Sequence, residues 1–353
     1  VSGTASLGGS VTTADSLTID GTLTLTTNIT LDSTGNDATD DITLAAISGT
    51  PDGATESLVL DAGAAGAISV SGAVTGLEDL SLTLSDGATF AAVTLNNDFT
   101  ITGATTGANI TFNGNLSLGG DFITAASNYN IAINEDITVV DQVTFANTGL
   151  LVLGNGMDDD LTFGGGITAI AQAAGGYDAD AIKIAGNIIT TQDVVNLGSA
   201  TAGITLTAGS TITTGAGAGN IDLDGIIIGG GNSLGLNAGS GLITSALEIS
   251  GISTLTITQS GGTIFTGNVG ATTVTLTDST GAIEFDGDLT ATTLNVAAGA
   301  INGGFDVEIN EDATITNAVT FANTGLLVLG DGTDDNLTFG GGITAIAQAA
   351  GGY

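Results

Sequence analysis

The chain has 353 residues, with 37 Asp and Glu against one basic residue, no His, no Cys and no Trp, for a formal charge of −36. That balance excludes a nucleic-acid partner, because phosphates need Lys and Arg to neutralise them, and it disfavours electrostatic adhesion to an anionic membrane. The missing Cys excludes disulfide staples and thiolate metal sites. Hydrophobic residues reach 42% and mean hydropathy is +0.44, so the chain can bury a core and is not of the disordered class. Only 4% is aromatic, which predicts a thin core of Val, Ile, Leu and Ala. No apolar run of ~18 residues offers a membrane-inserting helix. The 57 Gly have no three-residue period, which excludes collagen. The first residue is Val1, and the chain reads as a piece of something longer, so missing targeting signals carry no meaning.

From the N-terminus, short strands with alternating apolar residues appear at once, as in LTLT at 23–26. Their spacing through residues 1–110 is irregular. The single proline, Pro51, falls between strands, as it must where a backbone donor is needed for a ladder. An INED turn (Asn134, Glu135, Asp136) follows, then VTFANTGLLVLGNGMDDDLTFGGGITAIAQAAGGY at 143–177. Within it ITAIAQAAGG (167–176) reads as strand and turn. The only cation, Lys183, stands between apolar neighbours in DADAIKIAG, placed to neutralise a carboxylate or to point to water. Triplets then recur at ITL 204–206, IDL 221–223, LGL 234–236, LTI 255–257, VTL 274–276, LNV 294–296 and ATI 313–315. The last four are spaced by 19, 20 and 19 residues, and turn residues bound each one.

The chain then repeats itself. Residues 319–353 match 143–177 at all but three positions (Asn155/Asp331, Met157/Thr333, Asp160/Asn336), and INED returns at 309–312 as Asn310, Glu311, Asp312. Two copies of one 176-residue unit are therefore expected, 1–177 and 178–353, ending at Tyr177 and Tyr353 and continuous with each other. The expected fold is all-β, a right-handed parallel β-helix (β-solenoid) with 19–20 residues and two or three strands per coil. Handedness follows the general rule for parallel crossovers. About nine coils per unit and eighteen in all would make a rod of roughly 85 Å.

The coils with GGGITA, LTFGGG and NTGLLVLG resemble filamentous-haemagglutinin-type adhesins, autotransporter passengers and giant repetitive bacterial surface proteins. The resemblance covers the whole chain, rests on pattern and transfers no functional residue. It implies export to the cell surface or beyond, from a bacterium.

The sharpest local features are the acidic turns GNGMDDD (154–160) and GDGTDDN (330–336). Asp158, Asp159, Asp160, Asp331, Asp334 and Asp335 are the candidate metal ligands, because clustered carboxylates beside Gly backbone suit Ca²⁺. The turn resembles the Gly-rich calcium nonapeptide, but Leu337 arrives one residue late and the motif occurs once per unit, where a calcium roll needs it on successive coils. A solvated turn is the reading set against the site. For the INED turns, left-handed backbone or Asn ladders are expected. Thr22, Thr24, Thr26 and Thr273, Thr275, Thr277 raise ice binding, set against the ordinary preference of Thr for exposed strand. Catalysis is not expected: without His or Arg, and with one Lys, acid–base chemistry rests on Asp pairs alone. No cofactor is expected other than Ca²⁺. The expected role is a stiff acidic rod in an extracellular filament, stalk or adhesin. The expected partners are further copies of the repeat, end to end or side by side, and a cell-surface or glycan receptor. A Ca²⁺-bridged surface layer or sheath is the alternative, with a viral fibre shaft third.

Overall fold

The computed structural model describes residues 3–34, 37–50, 53, 55–173, 176–299 and 304–346. These form no helix, about half of the chain is strand, and every strand pairing described is parallel. The protein is a repetitive β-solenoid of about 15 turns. It divides into two compact units, the first holding Val1–Asn155, Asp159–Gly165 and Ala171–Gly175, the second Gly156–Asp158, Gly166–Ile170 and Gly176–Tyr353.

In the first unit each coil contributes one short strand to each of three faces. One face stacks Ala5–Leu7, Leu23–Leu25, Ile47–Ser48, Val74–Leu77, Val93–Leu95, Leu116–Leu118, Ile137–Val139 and Asp160–Phe163. A second runs from Val11–Thr12 to Phe122–Thr124, and a third from Leu17–Ile19 to Leu151–Leu153. The typical strand is a triplet whose outer residues point in and whose middle residue points out, as in Leu17–Ile19 and Leu116–Leu118. Three residues are the least that period-two alternation needs to put two side chains into the core.

In the second unit one face is again built of short strands, from Ile167–Ala169 through Val195–Leu197 to Leu327–Leu329. The other two faces are joined in several coils by long strands that run through the corner: Asp178–Thr190, Ala202–Thr213, Ile249–Gln259, Val269–Leu276 and Leu289–Val296.

The coil length expected from sequence needs correcting. Steps between stacked residues range from 18 (Ala5 on Leu23) to 29 (Ile29 on Leu58), so fewer turns fit than the eighteen expected. The 19–20 rhythm holds locally, where Leu255, Val274 and Leu294 stack. The next step breaks it, because Ala313 pairs with Leu289 rather than with Leu294. The spacing of 19 between those two triplets joins strands of different faces. ITL 204–206 and IDL 221–223 likewise belong to different faces. Pro51 and Tyr353 lie outside the described residues.

The core also departs from the aliphatic expectation. In the first unit Phe90, Phe99, Phe112, Phe122, Phe145 and Phe163 form one continuous column, with successive ring centroids 5.2–6.3 Å apart and mostly edge-to-face. This column takes six of the eleven Phe of the chain. At one corner of the second unit Gly241, Gly261 and Gly281 come so close to the coil below that a Cβ would sit 2.1–2.3 Å from its carbonyl oxygens. Only glycine fits that backbone approach.

Candidate functional site

The residue just before an inward triplet is repeatedly Asp or Asn, and the structure gives it one job. In the first unit the Asp98 N–H donates to Asp79 Oδ1 at 3.2 Å, and the Asp121 N–H donates to Asp98 Oδ1 at 2.8 Å. The backbone completes a clamp in the other direction, with Leu80 N–H on the Asp98 carbonyl and Phe99 N–H on the Asp121 carbonyl, both at 3.0 Å. The same side-chain acceptor recurs at Asn28, Asp41, Asn130 and Asp136. In the second unit it recurs at Asn220, Asn268, Asp306 and Asp312. A short side chain here captures the N–H that would otherwise lack a partner where the strand begins.

The acidic turns follow the same logic. Asp159 is 7% exposed, and its Oδ2 accepts the Asn155 N–H at 2.7 Å. In the second copy Asp335 Oδ2 accepts the N–H groups of Asp331 and Gly332 at 2.8 and 2.7 Å. The two carboxylates thus close their own loops. Asp160 donates its N–H to Asp136 at 2.9 Å, and Asn336, which replaces it in the second copy, donates to Asp312 at 2.6 Å. Both copies use the backbone N–H of this position, and Asn336 adds a side-chain donation to the Asp334 carbonyl at 3.0 Å. Asp158, Asp331 and Asp334 are exposed. Among the described residues no group of three or more acidic side chains is gathered around one point in a way that could hold a metal ion.

The INED residues are ladder members. Asp136 and Asp312 are the acceptors just named. Asn134 Nδ2 donates to Asn113 Oδ1 at 2.9 Å, and Asn310 Nδ2 to Asp286 Oδ1 at 2.8 Å. Glu311 lies among Asp335, Asp331, Asp334 and Asp288; local desolvation first, then their charges, hold its carboxyl above the ordinary range. Asp121 is raised by desolvation and then by Asp98 and Asp141, and Glu284 by desolvation and then by Glu308 and Asp286. Stacking coil on coil puts like charges one above another, as where Glu284 pairs in register with Glu308.

Lys183 is half-buried on Asp178–Thr190, in register with Thr205, whose hydroxyl donates to Asp180 Oδ1 at 2.6 Å. The threonines form ranks. Thr273 stacks between Thr254 and Thr293, and Thr275 between Thr256 and Asn295. Asn residues interrupt or end these ranks: Asn317 Nδ2 donates to the Thr293 hydroxyl at 2.9 Å. Thr24 stacks between Ser6 and Ser48, while Thr26 donates its hydroxyl to the Leu7 carbonyl at 3.2 Å.

Sequence reasoning missed two features. One is the Asx acceptor ladder, whose signal is Asp or Asn directly before an apolar–polar–apolar triplet, as in DFT at 98–100 and DIT at 136–138. The other is a groove across the corner of the second unit, lined by Gly251, Ala271, Ala291 and a set of threonines. Comparison with family models, curated proteins and solved structures returns no match to this chain.

Proposed function

We propose that this chain is a structural element of an extracellular filament, stalk or adhesin, of the kind seen in filamentous-haemagglutinin-like bacterial surface proteins. The observation that carries the reading is the ladder itself. In each unit every face is joined to its neighbour coil by parallel backbone bonds, and the strand starts are clamped again by Asx side chains. Such a ladder resists extension because pulling along the axis loads many hydrogen bonds at once. The acidic skin keeps the element hydrated and limits lateral sticking at low salt. With no His or Arg and one Lys, acid–base chemistry would rest almost wholly on carboxylates, and catalysis is not part of the proposal. Immunogold labelling of producing cells, with protease shaving, tests the location: label inside the cell only would end the proposal. Single-molecule pulling tests the mechanics, and unfolding at the low forces of a helical bundle would count against it.

A second reading, a Ca²⁺-bridged surface layer or sheath, is favoured by the stacked, repelling carboxylates at Asp121, Glu284 and Glu311. Divalent ions shared between neighbouring molecules would relieve them. That reading expects assemblies that fall apart in EDTA, whereas a stalk or filament is indifferent to chelator.

A further inference from the structure

Some asparagines at the strand starts stand in a second pattern. Asn followed two residues on by Ser or Thr, with a residue other than Pro between them, is the acceptor pattern for N-linked glycosylation. It occurs at Asn28 (NIT), Asn109 (NIT), Asn115 (NLS) and Asn336 (NLT). All four asparagines are exposed, and each directly precedes an apolar residue at the head of an inward triplet. Residues i and i+2 of a strand point to the same side, about 7 Å apart. The amide and the hydroxyl two residues on therefore face outward together, while Ile29 or Ile110 between them is buried.

Hydrogen bonding separates the four. Asn28 Oδ1 accepts the Ser57 N–H at 2.9 Å, which fixes the orientation of the amide and turns Nδ2 away from the ladder. Asn109 is fixed through a relay. Asn130 Oδ1 accepts the Leu150 N–H at 2.9 Å, so Asn130 Nδ2 is the donor to Asn109 Oδ1 at 3.0 Å. Among the described residues neither Asn28 Nδ2 nor Asn109 Nδ2 has a partner, and neither has the hydroxyl of Thr30 or Thr111. The other two amides are engaged: Asn115 Nδ2 donates to Asp136 Oδ2 at 3.3 Å, and Asn336 Nδ2 to the Asp334 carbonyl at 3.0 Å. A sugar on Nδ2 of Asn28 or Asn109 leaves the ladder bond at Oδ1 whole. At Asn115 or Asn336 it competes with a bond that the fold already uses.

We propose that Asn28 and Asn109 are N-glycosylation sites, modified by a transferase of the producing cell. The donor is a sugar activated as a diphosphate ester of a nucleotide or a lipid. The bond from Asn Nδ2 to the anomeric carbon forms, and the bond from that carbon to the diphosphate oxygen breaks. The diphosphate leaves with the electron pair, and the amide gives up one proton to a base. The glycan is bulky and solubilising, and it suits a surface. It extends the hydrated skin of the rod at turns where the ladder residue is Asn and carries no charge. The proposal rests on the surface reading above, because glycosylated asparagines of this pattern belong to exported chains.

The test is peptide mass spectrometry of the full chain purified from producing cells. Asn28 and Asn109 should carry hexose or N-acetylhexosamine, and Asn115 and Asn336 should be bare. Asn220 and Asn268 are built-in controls: their Oδ1 atoms accept the N–H groups of Leu242 and Asp288 in the same ladder, but Asp222 and Gly270 stand where the hydroxyl is needed. Both should be bare. The double variant T30V/T111V keeps the asparagines and the strand preference; it should fold like the parent by circular dichroism and lose the sugar at both sites. The proposal is overturned if Asn28 and Asn109 are bare, if the valine variant keeps its sugars, or if Asn115, Asn336 or the controls are modified to the same extent. Protease shaving of the same cells separates the two readings. A bare chain on the surface overturns the glycan sites alone, and a glycosylated chain found only inside the cell overturns the surface reading alone.

Discussion

At the residue scale, two positions show how the chain divides polar from apolar work. Asp98 accepts the Asp121 N–H while its own N–H goes to Asp79. Replacing Asp98 by Ala leaves the Asp121 N–H without its acceptor at a half-buried turn, a loss of about 1–3 kcal/mol. Asp98→Asn keeps an acceptor and removes one of the charges that raise Asp121, so it should be neutral or stabilising. Urea denaturation of the two variants checks the pair, and equal losses would show that charge rather than the hydrogen bond matters. Tyr129 and its counterpart Phe305 offer an internal control. Both are fully buried, and both backbone carbonyls accept the side-chain amide of the repeat asparagine, Asn147 or Asn323, at 3.1 Å. Burial pushes the Tyr129 hydroxyl up to about 12, against the lowering pull of the Ala125 backbone and the Thr124 side chain beside it, and neither makes a hydrogen bond of good geometry with it. Since the second copy fills the place with Phe, Tyr129→Phe should match or exceed the parent by up to about 1 kcal/mol. A loss of stability on denaturation would reveal a partner for the hydroxyl.

At the element scale, near-identical triplets differ in cover. Ile167–Ala169 stacks under Val195–Leu197, and Ile167 is fully buried. Its copy, Ile343–Ala345, pairs on one side with Val319–Phe321, and Ile343 is 45% exposed. Leu151 and Leu153 are fully buried, while Leu327 and Leu329 are half-buried. A triplet cannot bury its inward residues until the next coil is laid over it. Ile167→Asp should therefore cost on the order of 3–5 kcal/mol, since it places an unpaired charge in the core. Thr138→Asp, at the outward middle position of the covered triplet Ile137–Val139, should cost less than about 1 kcal/mol. Thermal melts of the two variants decide it, and equal losses would mean that inward and outward positions are covered alike. Most elements were legible in the sequence, because period-two alternation between turn residues is a local property. The 19-residue step from LNV to ATI misled because the distance between strands carries no label for the face on which each one lies.

At the scale of the whole molecule, charge dominates the expected response to solution conditions. Asp121 and Glu284 have raised carboxyls in the fold, relative to ordinary values of 3.8 and 4.5. A raised folded value means that the fold holds the proton more tightly than the unfolded chain does, so stability rises as pH falls. The gain begins as pH drops through the raised values and is complete below the ordinary ones. The melting temperature should therefore climb between pH 7 and about pH 4, and added salt at pH 7 should act in the same direction by screening. Scanning calorimetry across that range tests it; a melting temperature that falls steadily with acid would mean that ionised carboxylates stabilise the fold through their backbone bonds more than they repel. Of the candidate metal residues, the sequence located the turns correctly but could not tell that Asp159 and Asp335 face inward onto their own loops. Side-chain direction in a turn depends on which backbone groups the turn leaves unpaired, and that is settled only when the loop closes.

The sequence by itself determined the solenoid class, the 176-residue repeat, the glycine-bounded triplets and the acidic surface, since each of these is written in local pattern or composition. The tertiary structure decided which triplets stack. On one face of the second unit, seven pairings lead from Ile167 to Leu327, yet ITA at 343–345 lies on another face than ITA at 167–169. The repeat is therefore not a whole number of turns, and the same residues meet different neighbours in each copy. The phenylalanine column and the threonine groove arise in the same way. Loop lengths vary from coil to coil, and hydrogen-bond register, set only when one coil settles on the next, chooses the partners.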